Sequence, residues 1–501
     1  MGESSFGARF RAVLPSAVLF VVAAGLATDL IRPFRVGQVG FDMAASVLYF
    51  DRIVVGRHLE SFISATPKPL FTVVNGLAHA VTGEWRLISW LAIGVYAVAV
   101  VLAAQLAARA TGPVAAGFAA VGFVGSPVLL SDVSLAYSVG WALLGWLAAG
   151  IAVTAGRPRY GVAGVALLLA TLARFETFIL LSLVAAILAA TRVASSFRWN
   201  VPPPRRAWLL LIGFGALPVY MLHDWLLTGN PFYTEAVPAL ASSGAPIVGP
   251  LGALGMIASH YGPMTPLLLL AVVGVIGLVR RRCWPILVGL AALGPGILAF
   301  IEFLGLRHIY ISTRYFSPAD LSILFAAANG VASLQVPALR GLARVGGPWR
   351  MAYLPVIVGG FVALAVTPLG PLDSRLRTAV RSNLELYENL AIAEPTIARV
   401  ISTTTNRVPA VLLVPILLRP QAAVDLDLPL TRVGGTSGQR PGTAQYLRPG
   451  EIVYQDPRND RPSGGKSILE VDVPTVAGSV LLDPVFVDHA RRFWILRVTQ
   501  P

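Results

Sequence analysis

The chain has 501 residues, of which 55% are hydrophobic and only 13% charged, with a formal net charge of +14. Soluble globular proteins carry about 25% charged residues, so the composition excludes a soluble enzyme and indicates a polytopic α-helical membrane protein. It also speaks against a nucleic-acid partner. The arginines are scattered through short loops between apolar runs, where they set topology rather than form a binding face.

Cys283 is the only cysteine, so the chain has neither an intramolecular disulfide nor a Cys-based metal site. Arg9 and Arg11 precede an apolar run from Val13 to Ala27. The run reads as a first membrane helix, with a signal peptide as the alternative. Further apolar runs place spans near 13–31, 86–108, 113–130, 136–155, 160–173, 176–193, 207–227, 263–279, 285–304, 318–336 and 351–368. At some 20 residues per crossing these amount to about eleven transmembrane helices. Alternate connections are rich in arginine, including Arg157 and Arg159, then Arg280, Arg281 and Arg282, whereas 228–262 has no lysine or arginine. The positive-inside rule then puts the N-terminus and Cys283 in the cytoplasm and everything after about residue 369 outside. Two domains are expected: a transmembrane domain over 1–370 and a small extracytoplasmic α/β domain over 371–501. In the latter, 375–401 reads as one or two amphipathic helices broken near Pro395. "AVLLVPILL", "EIVYQDP", "SILEVDV" and "RRFWILRV" read as strands between turn residues.

The first outer connection, about 32–85, is long enough to be functional. Its stretch 42–55 has helical periodicity, with Met43, Val47, Phe50 and Val54 on one face, as in an amphipathic helix lying on a membrane. Asp42 falls at its N-cap position. A cap can still face a cavity, so a catalytic role stays open beside the structural one. Asp51, nine residues on, falls on the opposite face. Downstream, Lys68 stands between Pro67 and Pro69 in a chain with one other lysine, Lys466. It reads either as a phosphate ligand or as a side chain snorkelling to lipid headgroups.

Further ionisable residues fall on the same, outer side. Arg174 and Glu176 occupy a turn between apolar segments and form either a structural ion pair or part of a site. His223 and Asp224 precede "GNPFYTEA", and His260 precedes the eighth span. Glu302 lies late in the ninth span, and Arg307, His308, Arg314 and Tyr315 follow in "GLRHIYISTRYFSPAD". His223 alone reads as an interfacial histidine, and Arg314 with Tyr315 as an interface anchor. Ionisable groups at membrane depth are costly and generally face an aqueous cavity, and their shared sidedness favours a site.

In order and sidedness these segments resemble the GT-C superfamily, polytopic glycosyltransferases that use a polyprenyl-phosphate sugar donor at the outer membrane face. An acid (Asp42) follows the first span. "TPKPLFTVVNG" is similar to the lysine–proline segment of the aminoarabinose and protein-mannosyl branches. "LARFETFIL", "GNPFYTEA" and "STRYFSPADLSILFAAANG" are similar to later segments of the family, with Phe175 standing where the family has proline. The outer C-terminal domain resembles that of actinobacterial cell-wall arabinosyl- and mannosyltransferases. Many relatives have paired acids where this chain has Phe41-Asp42, and a shifted register would make Asp51 the catalytic residue.

The resemblance implies an inverting transfer of a sugar from a polyprenyl-phosphate donor to a hydroxyl of a cell-envelope glycan, lipid or protein, in the inner or plasma membrane. Asp42 would be the base, assisted by His308, and Lys68, Arg314, Tyr315, Arg174 and Arg307 would hold the donor phosphate. Asp51, Glu176, His223, Asp224, His260 and Glu302 are secondary candidates. The sequence establishes no cofactor. A divalent cation stays open, but Asp42, Asp51 and Glu60 are too sparse to define a metal site. The alternatives are a lipid or sugar transporter or flippase, which calls for internal repeats, and a non-catalytic glycan-binding scaffold.

Overall fold

The structure is a computed structural model and describes residues 5–32, 40–59, 63, 65–196, 206–234, 237, 249–309, 311, 313–342, 375–404, 412–415, 418–436, 452–455, 481–488 and 493–499. In chain order the helices are α1 (Ser5–Ile31), α2 (Phe41–Val55), α3 (Pro69–Thr82), α4 (Arg86–Thr111), α5 (Pro113–Val124), α6 (Pro127–Ser134), α7 (Val139–Val153), α8 (Tyr160–Ala173) and α9 (Thr177–Ser196). After them come α10 (Ala216–Thr228), α11 (Pro250–Tyr261), α12 (Thr265–Arg280), α13 (Trp284–Ala291), α14 (Ile297–Leu306), α15 (Ser317–Leu342), α16 (Arg375–Thr404) and α17 (Arg419–Asp425). Proline opens α3, α5, α6, α11 and α12 within the first two positions. Its missing N–H is no loss there, because the first turn has no intrahelical acceptor for it.

The chain is a multi-pass membrane protein. Among the described residues, Arg86–Thr111, Ala207–Thr228, Pro250–Arg280 and Trp284–Leu306 are long and apolar enough to cross a bilayer. α5 and α6 form a bent pair at 48° that makes a fifth if counted as one span. Shorter apolar helices lie at Leu14–Asp29, Val139–Val153, Tyr160–Ala173 and Thr177–Arg192. The expected span at 351–368 lies outside the described residues, as do the strand expected at 467–473, Glu60 and Tyr310.

The chain divides into two compact units. Unit 1 comprises residues 1–30, 90–220 and 247–377, and unit 2 comprises 31–89, 221–246 and 378–501. The division does not follow one boundary at 370/371, because residues 31–89 and 221–246 cluster with the tail. In unit 1, α12 packs closely along α15. A Cβ on Gly274 would lie 1.8 Å from the Ala326 carbonyl oxygen, and one on Gly330 would lie 2.1 Å from that of Leu270. Small residues allow such backbone approach where lipid offers no hydrophobic drive between helices.

Unit 2 contains a five-stranded sheet of order β2-β1-β3-β5-β4, built from β1 (Leu412–Pro415), β2 (Val433–Thr436), β3 (Ile452–Gln455), β4 (Leu481–Asp488) and β5 (Phe493–Thr499). β1 pairs in parallel with β2 and β3, whereas β5 is antiparallel to β3 and β4. The sequence did not announce β2, β4, α3 or α17. It also suggested a break near Pro395, yet α16 runs through it from Arg375 to Thr404. Buried Leu386, Tyr387, Leu390 and Ala393 before the proline and Ile397 and Val400 after it keep one face seated. That burial offsets the hydrogen bond proline removes.

Candidate functional site

In unit 2 the connection between α1 and α4 forms α2 and α3. Gly40 is the N-cap of α2 and makes no side-chain cap. Asp42 therefore lies in the first turn rather than at the cap expected for it, where its charge still complements the helix dipole. α2 ends at Gly56, whose φ of 69° favours glycine. The buried face holds Phe41, Met43, Ala44, Ala45, Ser46, Val47, Leu48, Tyr49 and Arg52, while Val54, expected inside, is exposed. A stripe this wide is that of a packed helix, not of one resting on lipid by a narrow apolar seam.

Lys68 stands just before α3, and its Nζ lies 2.9 Å from Asp42 Oδ2, with both side chains largely buried at 15% and 11% exposure. Asn75 of α3 donates to Ser46 Oγ of α2 at 3.0 Å. Asp51 points the other way. It is half exposed and paired with the adjacent Arg52 at 2.9 Å. Arg52 also donates to the Leu428 carbonyl.

Tyr49 donates its hydroxyl to the Ala65 carbonyl at 2.7 Å, and Tyr233 donates to that of Ile63 at 3.4 Å. Burial raises the Tyr49 phenol well above its ordinary value, with further contributions from Tyr233, Asp42 and Asp224. Tyr49 therefore remains a hydrogen-bond donor at physiological pH. Asp224 accepts from the Thr234 backbone N–H at 2.7 Å and from its hydroxyl at 2.9 Å, which fixes the turn bearing Tyr233. His223 is buried, with Nδ1 3.6 Å from Asp224.

Also in unit 2, Asp425 accepts from Trp85 Nε1 at 3.1 Å, and His79 packs on the Trp85 ring at 4.5 Å. Burial, with the adjacent Asp425 carboxyl, pushes Glu394 up to about 10. Asp425 is likewise raised by burial. Nothing in the sequence marked this pair, whose members lie 31 residues apart in a tail read for its strands.

In unit 1, Arg174 and Glu176 form a buried pair in the turn between α8 and α9, with Arg174 Nε 3.1 Å from Glu176 Oε2 and a second contact through Nη2. Asp132 and Arg314 also act on the Arg174 charge. The Arg314 guanidinium lies over the Tyr137 ring at 4.4 Å. Tyr137 and Asp132 were not singled out in the sequence. His260 Nε2 sits 3.0 and 3.1 Å from the two Asp320 oxygens, and its ring stacks on Phe316 at 4.5 Å. Asp320 could have been noticed as the acid in the first turn of α15. Arg307 and His308 are exposed, with Arg307 5.9 Å from the Phe303 ring. Tyr315 meets Phe300 edge-on at 6.3 Å. Glu302 is half-buried on α14. Among the described residues no group of three His, Cys, Asp or Glu side chains is placed to hold a metal.

Apolar helices of spanning length, joined in one chain to a mixed sheet and to two short helices carrying an acid–lysine pair, define a polytopic membrane protein of a recurring architecture. The fold is similar to that of ArnT from Cupriavidus metallidurans in the apo state, at TM-score 0.52 and 14% identity over 97% of this chain and 98% of that one. The same protein bound to undecaprenyl phosphate aligns at TM-score 0.51 and 14% identity, over 98% of each chain. The archaeal oligosaccharyltransferase AglB from Archaeoglobus fulgidus, in complex with an inhibitory peptide and a dolichol-phosphate, aligns at 0.49 and 13%, over 86% of this chain and 65% of its own. No family model and no curated protein matches the sequence. The likeness is one of fold, over nearly the whole of both chains.

Proposed function

We propose that the protein is a glycosyltransferase of the outer face of a cell's inner or plasma membrane. On this reading it moves a sugar from a polyprenyl-phosphate donor, with inversion, to a hydroxyl of a cell-envelope glycan, lipid or protein. The observation that carries the reading is the Asp42–Lys68 pair, which sets a proton acceptor and a compact cation side by side. The fold shared with ArnT, a protein solved with undecaprenyl phosphate bound, supports the choice of donor. An arabinosyl or mannosyl donor is the sugar the resemblance favours.

The chemistry divides between the two side chains. When a donor arrives, Lys68 turns its ammonium to the phosphate, and the Asp42 carboxylate is released to take the acceptor's proton. The acceptor oxygen attacks the anomeric carbon, and the bond from that carbon to the phosphate oxygen breaks. The phosphate leaves with the electron pair, its growing charge held by Lys68. A positioned base contributes about 10²–10⁴-fold, and fixed cations at the departing oxygen act where charge develops. Arg314, Tyr315, Arg174, Arg307 and His308, which the resemblance also offers, lie in unit 1 and have no step in this scheme; Glu176 already engages Arg174 twice.

Mass spectrometry of lipid co-purified with the protein tests the donor: a polyprenyl phosphate or its glycoside is expected. Absence of such lipid, together with no transfer from polyprenyl-phosphate sugars in detergent, overturns the assignment. Impermeant maleimide should leave Cys283 unlabelled in intact cells and label it after lysis. Labelling from outside would reverse the orientation.

A further inference from the structure

The segment leading to Lys68 is tied to α2 at two points. Tyr49 holds the Ala65 carbonyl at 2.7 Å, and Asp42 holds Lys68 Nζ at 2.9 Å. Tyr49 and Asp42 are seven residues apart, two turns along one face, which spans about 10 Å at 1.5 Å per residue. Ala65 and Lys68 are three residues apart, and an extended chain covers about 10 Å over that distance. The two lengths match, so the segment lies extended along the helix in one register.

Few soft backbone torsions separate Ala65 from Lys68. Pro67 fixes its own φ. Thr66 and Lys68 each precede a proline and are confined to extended backbone. Lys68 is found there, at φ −135° and ψ 99°. A displacement at Ala65 is therefore passed on to Lys68 rather than absorbed. A third tie comes from Tyr233, which donates to the Ile63 carbonyl and sits beside Thr234, itself held twice by Asp224.

We propose that Tyr49 and Tyr233 are positioning residues for Lys68: their hydroxyls hold the Ala65 and Ile63 carbonyls and so place the ammonium against Asp42. Asp224 acts one step further back, through the turn that carries Tyr233. This gives "GNPFYTEA" a role in donor recognition at a distance, and it rests on the reading of Lys68 as the cation for the donor phosphate.

The test uses the full-length protein in detergent and two readouts. The first is acetylation of Lys68 by acetic anhydride, followed by mass spectrometry against Lys466 as internal reference. Tyr49→Phe, which removes only the hydroxyl, should speed Lys68 acetylation about five- to tenfold, the loss of roughly one hydrogen bond. Tyr233→Phe, whose bond is longer, should act in the same direction and less. Asp224→Asn should add nothing to Tyr233→Phe.

The second readout is transfer from a polyprenyl-phosphate sugar. Tyr49→Phe should raise the donor KM several-fold more than it lowers kcat. In a Lys68→Ala background the same change should have no further effect, because its route of action is gone. Unchanged Lys68 acetylation in both tyrosine variants overturns the proposal, as does a Tyr49→Phe effect that simply adds to Lys68→Ala. Acetylation that responds in a protein with no transfer activity keeps the positioning role and defeats the glycosyltransferase reading. Transfer that proceeds while acetylation and KM ignore both tyrosines does the reverse.

Discussion

In unit 1, α12 and α15 meet through glycines; in unit 2, polar side chains reach between segments distant in sequence. Gly274 and Gly330 let α12 and α15 meet backbone to backbone. Asp42–Lys68, Arg52–Leu428 and Trp85–Asp425 join chain segments 26, 376 and 340 residues apart. The contrast follows from solvent. Between lipid-facing helices, shape and close contact must supply the attraction. Where water is displaced, polar groups can be removed from solvent only if each finds a partner. One unit thus tolerates charge substitutions poorly and the other volume substitutions poorly, and variants can separate the two.

The largest expected effect is in unit 1. Gly274→Leu should prevent α12 and α15 from closing, because even its Cβ meets backbone that cannot move aside. Overpacking of this kind costs about 1–3 kcal/mol or more, read as loss of monodisperse protein on size-exclusion chromatography. Gly289, with open space around it, is the control. Next comes Asp42→Asn, which should lower transfer about 100-fold or more while donor lipid is still retained. Because Asp42 is paired with a largely buried lysine and is not the helix cap, the substitution should also reduce thermal stability measurably. Lys68→Ala should restore part of that stability in the double variant by removing the stranded charge.

A third variant sharpens the comparison through pH. Glu394 is raised from 4.5 to about 10, first by burial and then by Asp425. The folded state therefore holds a proton the unfolded chain releases. Its contribution is complete below pH 4.5 and is lost progressively as pH rises toward about 10. Glu394→Gln keeps a donor to Asp425 and needs no proton. It should flatten the fall in melting temperature over that window and stabilise the protein at pH 8 by about 1–3 kcal/mol. A wild-type melting temperature independent of pH from 5 to 9 would refute a shared proton there. The smallest effect is expected from Asp51→Asn, within about 0.5 kcal/mol and with transfer unchanged, since Asp51 is half exposed beside Arg52.

The membrane class, the helix at 41–55 and the opposed faces of Asp42 and Asp51 were legible because composition and a 3.6-residue period are local properties. α3 was hidden by its prolines and by its length: at 14 residues it is too short for a span and reads as an approach to the next one. In the tail, alternation exposed β1, β3 and β5. β2, with the sequence "VGGT", has no side-chain pattern to read. The pairing of Lys68 with Asp42 and of Glu394 with Asp425 joins different elements, and no spacing rule reports a contact that the fold alone creates. His260 with Asp320 was out of reach for the same reason, although each residue carried its own local signal.

The partners of α2 and Trp85 arrive late in synthesis. α2 packs against α17, and Arg52 and Trp85 reach Leu428 and Asp425, residues added 376 and 340 positions after them. At about 5–20 residues per second the ribosome needs roughly 17 to 75 s to supply them. For that interval the early helix is made, its face of Met43, Val47 and Leu48 is formed, and the residues that will cover it do not yet exist. Until those residues emerge, that face of α2 must be sheltered elsewhere, by an insertion factor or by the bilayer surface. A stop codon anywhere before residue 412 would therefore damage the beginning of the protein as surely as its end.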